Sequence, residues 1–242
     1  WGGFAVYAAN RYGCRITTTT ISREQHEYAA AWLAETGLSS GKHPQVQLLF
    51  QDYRHLEGKY DKIVSIEMFE AVGLAHYDDY FGACDRLLNA DGSMLLQTIS
   101  MNERTFPSYV RGCDWIQKYI FPGAELASLI EVQRSLRRCT KMSLHNAEDI
   151  GWHYAQTLKL WRARFLERLA EVRGLGFDEV FIRMWDYYLA YCEAAFRERH
   201  IGDFQLLLAK QHHSGPLMDE PWEEATQAEA STVGPSITDL SS

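Results

Sequence analysis

An apolar segment that ends in two carboxylates is the feature that most constrains the fold of this chain. Residues 63–66 (IVSI) lead directly to Glu67 and Glu70, and a second apolar segment at 94–99 ends in polar Ser100. Ligands of open α/β sheets bind at the carboxyl ends of the strands, so a buried strand that ends in acids usually delivers them to a site. Two such ends in one sheet predict an enzyme rather than a scaffold.

Apolar segments along the whole chain alternate between strand and helix character, which predicts an α/β fold. The predicted domain covers residues 1–211. A polar tail with Gly, Pro and Ser follows at 212–242, and we expect it to be disordered. The predicted strands are 15–21, 46–50, 62–67, 93–99, 139–144 and 204–209, and the predicted helices are 4–12, 22–35, 77–88, 125–138, 152–172 and 177–199.

Local signals mark some of these boundaries. Ser22 stands three positions before Gln25, which is the spacing of a capping box at a helix start. Gly13 closes the first predicted helix, and the segment 89–92 (NADG) predicts a turn before the strand at 93–99.

Composition and charge exclude several classes of function. The net charge is −8 and the pI is about 5.6, which argues against nucleic acid as a partner because phosphate contacts need clustered Lys and Arg. The five cysteines lack metal-ligand spacing, so no metal site is expected, and their odd number fits reduced thiols in a cytoplasmic protein. No apolar run approaches the ~20 residues that span a bilayer.

Eight segments carry a resemblance to a known family. In order they are WGGFAVYAANRYG, TTTTISREQHEYA, QDYRHL, YDKIVSIEMFEAVG, RLLNADGSMLLQTIS, KYIFPGAELASL, HYAQTLKLWRARF and RMWDYYLAYCEAAFR. From Trp1 to about Lys210 the chain resembles the cyclopropane-fatty-acyl-phospholipid synthases. The resemblance implies a Rossmann-like class I S-adenosylmethionine-dependent methyltransferase fold with a helical lipid-binding insert.

The glycine-rich cofactor loop of that family is only partly present. The family pattern is roughly D-x-G-C-G-W-G-G, and this chain holds its end as Trp1, Gly2 and Gly3. The strand before the loop lies in the middle of the family's sheet, and this first strand is missing from the chain. We therefore expect two strands with unpaired backbone groups, an incomplete gene product and a chain that folds poorly alone.

The resemblance also assigns a cofactor site. It matches the family's S-adenosylmethionine contacts residue by residue, and these fit the need of a sulfonium donor for an apolar, water-poor pocket with a few acceptors. Thr20, Ile21 and Gln25 would line the methionine and ribose region, and Asp52 with Tyr53 would flank the adenine. The remaining cofactor residues implied are Gly2 at the glycine loop and Ile66 near the sulfonium.

A second set of residues is implied to be catalytic through a bicarbonate ion. Glu70 and Tyr154 match the family's bicarbonate glutamate and tyrosine, and Ile99 matches a position that offers its backbone N–H. Gln97 stands where several members have His, and an amide can also donate to an anion. A fifth family contact, a cysteine, lies upstream of Trp1 and matches none of the five here.

The implied reaction adds a methylene group across a cis double bond of an unsaturated phospholipid acyl chain. Aromatic side chains would line the acyl tunnel. The aromatic segment 115–126 is expected to rest on the bilayer, so the protein would be peripheral to the inner face of the membrane. A homodimer is also expected from the family. The aromatic tunnel candidates are Trp115, Tyr119, Phe121, Trp152, Trp161, Trp185 and Tyr188.

Two alternatives stay open from the sequence. One is a methyltransferase of the same fold that makes methyl-branched lipids or methylates a small amine. Glu70 and Tyr154 favour ring closure over it, because a methylated amine needs no base fixed beside a carbocation. The other is an inactive remnant or lipid-binding module, which the incomplete cofactor loop favours.

Overall fold

The computed structural model describes residues 1–41 and 44–214. In the first half, strands and helices alternate as α1 (Gly3–Tyr12), β1 (Ile16–Thr20), α2 (Arg23–Glu35), β2 (Val46–Phe50), β3 (Tyr60–Ile66), α3 (Tyr77–Leu87) and β4 (Leu88–Met101). The second half contains α4 (Phe106–Tyr109), α5 (Trp115–Tyr119), α6 (Leu129–Cys139), β5 (Met142–Asp149), α7 (Gly151–Glu167), α8 (Leu169–Gly174), α9 (Glu179–Arg197) and β6 (Ile201–Lys210). Among the described residues, no helix combines the length and apolar character needed to cross a membrane.

The sheet is divided into two pieces. In the described part of the chain, β1 pairs in parallel only with β2, while the other four strands form a sheet in the order β3-β4-β6-β5. β3 and β4 are parallel, and β6 is antiparallel to both of its neighbours. The predicted interruption of the sheet is thus present, between β1 and β3. That the chain folds poorly alone stays a prediction.

Local chemistry sets several helix ends as predicted. The Ser22 hydroxyl accepts a hydrogen bond from the Gln25 backbone N–H and caps α2. The expected reciprocal bond of a capping box is absent from the described contacts, because the Gln25 side chain accepts from the Thr20 hydroxyl instead. Gly13 ends α1 with φ 66°, a left-handed conformation that glycine adopts without steric cost.

Some predicted boundaries were wrong. The strand expected to begin at Ser93 begins at Leu88, and residues 89–92 form an irregularity in its pairing with β3, because Leu88 lies opposite Tyr60 and Ser93 opposite Lys62. The helix expected at 125–138 begins only after Ser128, whose hydroxyl accepts from the Glu131 N–H. The helix expected at 152–172 is divided into α7 and α8 at Arg168.

The predicted tail lies mostly outside the described residues. Residues 215–242 are not described, so their predicted disorder stays a prediction. Residues 212–214 are described, and His213 lies against the start of β4, with its Nδ1 2.7 Å from the Asp91 carbonyl oxygen. The contacts with the sheet therefore continue slightly beyond residue 211, the predicted end of the domain.

An aromatic cluster supports the loop that follows β3. Phe69 is only 1% exposed, and its ring centroid lies 4.4 Å from that of Tyr77, 4.9 Å from Tyr80 and 5.3 Å from Phe81. The three partner rings all belong to α3. Because Phe69 immediately precedes Glu70, this packing fixes the position of that carboxylate.

We expect Phe69→Ala to lower the free energy of unfolding by about 3–5 kcal/mol, since it leaves a cavity among rings that cannot fully collapse. Chemical denaturation followed by far-UV circular dichroism measures the loss. Phe4→Ala is the matched control, because Phe4 is 49% exposed and its truncation should change stability by only about 0.5 kcal/mol. Equal losses in the two variants would contradict the assigned role of the cluster.

Candidate active site

The carboxyl ends of β3 and β4 meet at one edge of the sheet, where the predicted acids are found. Ile66 lies opposite Gln97 in the parallel ladder, and the Glu67 backbone N–H donates to the Gln97 carbonyl at 2.9 Å. Glu67 has φ 50°, a left-handed conformation that is uncommon and costly for a residue other than glycine. This backbone conformation ends β3 and turns the chain toward Glu70.

Glu70 is half-buried, and only one of its two carboxylate oxygens has hydrogen-bond partners. Its Oε1 accepts from the Ile99 backbone N–H at 2.6 Å and from the Thr98 hydroxyl at 2.9 Å. Its Oε2 is buried without a hydrogen-bond partner. Burial raises the pKa of Glu70 above the ordinary value of 4.5, against the lowering effect of the two donors.

Gln97 links two carboxylates through its amide. Its Nε2 donates to Glu67 Oε1 at 3.0 Å and to Asp203 Oδ2 at 3.1 Å, while its Oε1 accepts from Gln205 Nε2 at 3.0 Å. A primary amide has two N–H groups, and each of them has a carboxylate as its acceptor here. An anion that binds Gln97 would therefore have to compete with Glu67 or Asp203 for an amide N–H.

Tyr154 reaches the same acids from α7. Its hydroxyl donates to Glu67 Oε2 at 3.3 Å, and its ring lies 4.9 Å from that of Phe196. Burial and the nearby Glu67 charge raise the pKa of Tyr154 well above its ordinary value, so the side chain stays a neutral donor. Together with Ile99 it packs into an apolar cluster formed mainly by α7 and α9.

The structure thus brings together all four predicted catalytic residues, Glu70, Gln97, Ile99 and Tyr154. Their contacts bear on whether a bicarbonate ion fits. A fully ionised anion would be repelled by the neighbouring carboxylates. Bicarbonate also carries an O–H group, and the unpartnered Glu70 Oε2 is a buried acceptor suited to such a donor. The acceptor side of the site therefore suits the ion. The predicted donors are already engaged, because the Ile99 N–H donates to Glu70, the Gln97 amide to Glu67 and Asp203, and the Tyr154 hydroxyl to Glu67.

The first predicted cofactor residues lie at the end of β1 and at the starts of α1 and α2. The Thr20 hydroxyl donates to Gln25 Oε1 at 2.8 Å, which joins the end of β1 to the first turn of α2. Gly2 has φ 94°, and a Cβ there would approach the Ala29 Cβ to 3.2 Å, so the start of α1 lies close against α2. Ile21 is strongly exposed beside this pair.

The remaining predicted cofactor residues lie after β2 and at the end of β3. Asp52 binds Arg54 through both carboxylate oxygens, at 2.9 and 2.7 Å, and these hydrogen bonds lower the pKa of Asp52 to about 2. The Tyr53 ring packs 5.4 Å from that of Tyr80 on α3. Ile66 is 45% exposed, so it offers apolar surface at the edge of β3.

Comparison with known proteins decides the family. The family model described as mycolic acid cyclopropane synthetase matches residues 1–206. The chain belongs to this family.

Two curated family relatives show the level of similarity. Tuberculostearic acid methyltransferase UfaA1 of Mycobacterium tuberculosis is 38% identical over 211 residues, which cover 87% of this chain and 48% of the relative. Cyclopropane-fatty-acyl-phospholipid synthase of Escherichia coli is 36% identical over 215 residues, which cover 89% of this chain and 52% of the relative. The chain therefore spans about half the length of the curated relatives it matches.

Solved structures confirm the predicted fold. The cyclopropane synthase MmaA2 from Mycobacterium tuberculosis superposes with a TM-score of 0.76 at 24% identity, covering 87% of this chain and 75% of that one. The mycolic acid cyclopropane synthase CmaA1 complexed with SAH and CTAB gives a TM-score of 0.75 at 26% identity, with the same coverage. The fold is the α/β fold of class I S-adenosylmethionine-dependent methyltransferases.

The structure adds functional candidates that the family motifs did not assign. Glu67 had a sequence signal, because it directly follows the buried strand, but the resemblance directed attention to Glu70. Thr98 and Gln205 contact the site through single hydrogen bonds. Asp203 had no signal, since it lies at the start of β6, and only the antiparallel pairing of β6 brings it beside Gln97.

The predicted tunnel aromatics fall into two groups. Phe121 and Trp115 from the segment after β4 meet α9, with ring centroids 5.9 Å from Tyr188 and 4.7 Å from Tyr187. Trp152 and Trp161 are instead strongly exposed on α7. Trp115 thus packs against α9, whereas Phe121 is 48% exposed and presents apolar surface to the outside, as Trp152 and Trp161 do. That these aromatics line an acyl tunnel stays a prediction.

We expect Thr98→Val to raise the pKa of Glu70 further, because it removes a buried donor to the ionised carboxylate. Since the folded-state pKa of Glu70 already lies above the unfolded value, ionising it costs stability as the pH rises through that window. The variant should therefore lose about 1–3 kcal/mol more stability than the parent at pH values above the folded-state pKa, because the pH window of the loss becomes wider.

Carbon-13 NMR of the Glu70 side-chain carboxyl and denaturation at several pH values measure these two effects. Thr157→Val is the matched control, because the Thr157 hydroxyl donates only to the His153 carbonyl within α7. An unchanged Glu70 titration in Thr98→Val would show that this hydrogen bond does not form.

Proposed function

We propose that this chain is the catalytic part of an S-adenosylmethionine-dependent enzyme that adds a methylene group across a cis double bond of an unsaturated phospholipid acyl chain. The observation that carries the proposal is the group Glu70, Gln97, Ile99 and Tyr154, gathered beside an apolar helical layer. Membership of the mycolic acid cyclopropane synthetase family supports the same reaction class.

The first chemical requirement is a place for the methyl donor and a dry place for the alkene. When bound, S-adenosylmethionine would supply an electrophilic methyl group and bicarbonate a base. Asp52 offers a carboxylate, and the linked Thr20 and Gln25 offer polar groups for the polar parts of the donor. The apolar cluster around Tyr154 and Phe196 would keep water from the carbocation left on the acyl chain.

The second requirement is removal of a proton from the carbon that was transferred. As that C–H bond breaks, its electron pair closes the three-membered ring on the carbocation. Glu70, with one unpartnered oxygen, would hold the O–H of the base, and Tyr154 would donate to it. Burial of Glu70 and the neutral state of Tyr154 suit this positioning role.

The partners implied are lipids and a membrane surface. The exposed Trp152, Trp161 and Phe121 offer apolar area for peripheral contact with the bilayer, and Tyr119 adds to it. We propose this contact at the cytoplasmic face together with the lipid substrate, and a homodimer as the assembly.

A second candidate function is methyl transfer without ring closure, giving a methyl-branched lipid. The similarity to a relative named as a tuberculostearic acid methyltransferase favours it. Both reactions begin with attack of the alkene electrons on the donor methyl, so they differ only in the fate of the carbocation. Proton NMR of the lipid product separates them, because ring protons resonate far upfield.

We expect Glu70→Gln to abolish ring formation while leaving S-adenosylmethionine binding unchanged, because only positioning of the base is lost. The assay combines labelled S-adenosylmethionine, unsaturated phospholipid vesicles and bicarbonate, followed by lipid NMR, on this chain and on a version extended at its N-terminus. A loss of about 10²-fold or more is the scale of a general-base contribution.

Glu35→Gln is the control for the loss of one carboxylate, because Glu35 is exposed at the end of α2. Ring protons that persist in Glu70→Gln would contradict the assigned site. Labelled lipid without ring protons in the parent chain would favour methyl branching, and no label in either protein length would favour an inactive remnant.

We expect Asp52→Asn to weaken S-adenosylmethionine binding by about tenfold or more, since a hydrogen bond to a charged group contributes about 1.5–3 kcal/mol. Isothermal titration calorimetry measures the dissociation constant, with Glu35→Gln again as the control. An unchanged constant would remove Asp52 from the cofactor site.

A further inference from the structure

Asp203 is a buried acid at the edge of the candidate site. Its side chain is only 1% exposed, and its residue lies opposite Ile99 in the β4–β6 ladder. Its carbonyl accepts from the Ile150 N–H at 2.7 Å, which holds the backbone before α7. Oδ2 accepts from Gln97 Nε2, whereas Oδ1 is buried without a partner.

The Gln97 amide can occupy only one orientation between its neighbours. Its nitrogen faces Asp203 and Glu67, and its oxygen faces the Gln205 amide nitrogen. Turning the amide by half a rotation would direct its oxygen at two carboxylates and its nitrogen at another donor. All three contacts would then become repulsive. Asp203 and Glu67 together therefore fix Gln97.

Within residues 1–41 and 44–214, the carboxylates of this site have no positively charged ion-pair partner. Glu67 and Glu70 reach Asp203 from the loop after β3, and Asp149 reaches it from the end of β5. Tyr154 faces it from α7. No ion pair given for the described residues involves Glu67, Glu70 or Asp203, and no group of acids there is arranged to hold a metal ion.

A proton is the remaining means of reducing this repulsion. Burial first, and then the charges of Glu67 and Glu70, raise the pKa of Asp203 to about 7, against the lowering effect of Gln97. Glu70 shares part of this effect, since its own pKa is raised by burial. Asp203 is therefore poised to change protonation near neutral pH.

We propose that Asp203 is a positioning residue of this site, which fixes the Gln97 amide against Glu67 and carries the proton that the carboxylate cluster exchanges. This inference rests on the proposed function. Ring closure leaves one proton at the site for each C–H bond broken, and no electrons are exchanged. Ionised Asp203 takes that proton from the base at its unpartnered Oδ1, which restores the base, and then loses the proton to solvent.

Two substitutions separate the two parts of the role. Asp203→Asn keeps an oxygen that accepts from Gln97 but removes the ionisable group. Asp203→Ala removes both the acceptor and the proton. Glu35→Gln is the control for the loss of one carboxylate, because Glu35 is exposed at the end of α2 and is not among the acids that act on Asp203.

The first measurement is infrared spectroscopy of protonated carboxyl groups as a function of pH. We expect a carboxyl band that titrates near neutral pH in the parent protein and in Glu35→Gln and is missing from Asp203→Asn. The same band in Asp203→Asn would overturn the proposal. This readout does not depend on lipid turnover, so it decides the proton-carrying role even if the parent protein makes no cyclopropane.

The second measurement is the pH dependence of kcat and KM with unsaturated phospholipid vesicles. We expect the kcat of Asp203→Asn to be about 10-fold or more below that of the parent and to lose its titration near neutral pH. The KM for the lipid should be unchanged. The kcat of Asp203→Ala should be lower still, because Gln97 also loses its hydrogen bond to Asp203. A parent-like pH profile in Asp203→Asn would overturn the proposal, whereas an inactive parent that retains the infrared band would sink only the proposed function.

Discussion

The parallel pairing of β3 with β4 is the interaction on which the site depends. It places Ile66 opposite Gln97, and one further hydrogen bond, from the Glu67 N–H to the Gln97 carbonyl, begins the turn toward Glu70. The left-handed backbone at Glu67 is tolerated because this bond and the aromatic packing of Phe69 hold both sides of it. Strain at the end of a strand is common at functional sites.

The site concentrates negative charge on three neighbouring acids. Asp203 is buried and Glu70 is half-buried, each with one buried oxygen that has no partner, and the exposed Glu67 is joined to Asp203 through Gln97. Such an arrangement is costly for stability, because buried acids must keep or exchange protons. The same property suits a reaction that handles a proton beside a carbocation, since protonation states change there without admitting water.

The division of the sheet affects the cofactor side more than the acid side. The acids are held by a continuous four-stranded sheet and by α7, whereas Thr20, Asp52 and Gly2 lie on the two-stranded sheet and its helices. The described link between these parts includes Tyr53, which packs on Tyr80. A change in the packing between β1 and β3 should therefore alter the affinity for the cofactor more than the positions of the acids.

The sequence by itself determined the α/β class, most strands and the family, because alternating apolar segments and ordered motifs are local properties. It also placed Glu70, Gln97, Ile99 and Tyr154 at one site through the resemblance. It could not show that β4 begins at Leu88, nor the joint roles of Glu67 and Asp203. The joint role of Glu67 and Asp203 depends on the antiparallel pairing of β6 with β4, which brings residues more than 100 positions apart into one hydrogen-bonded group. Only tertiary structure decides such long-range pairing, and with it the protonation of the buried acids.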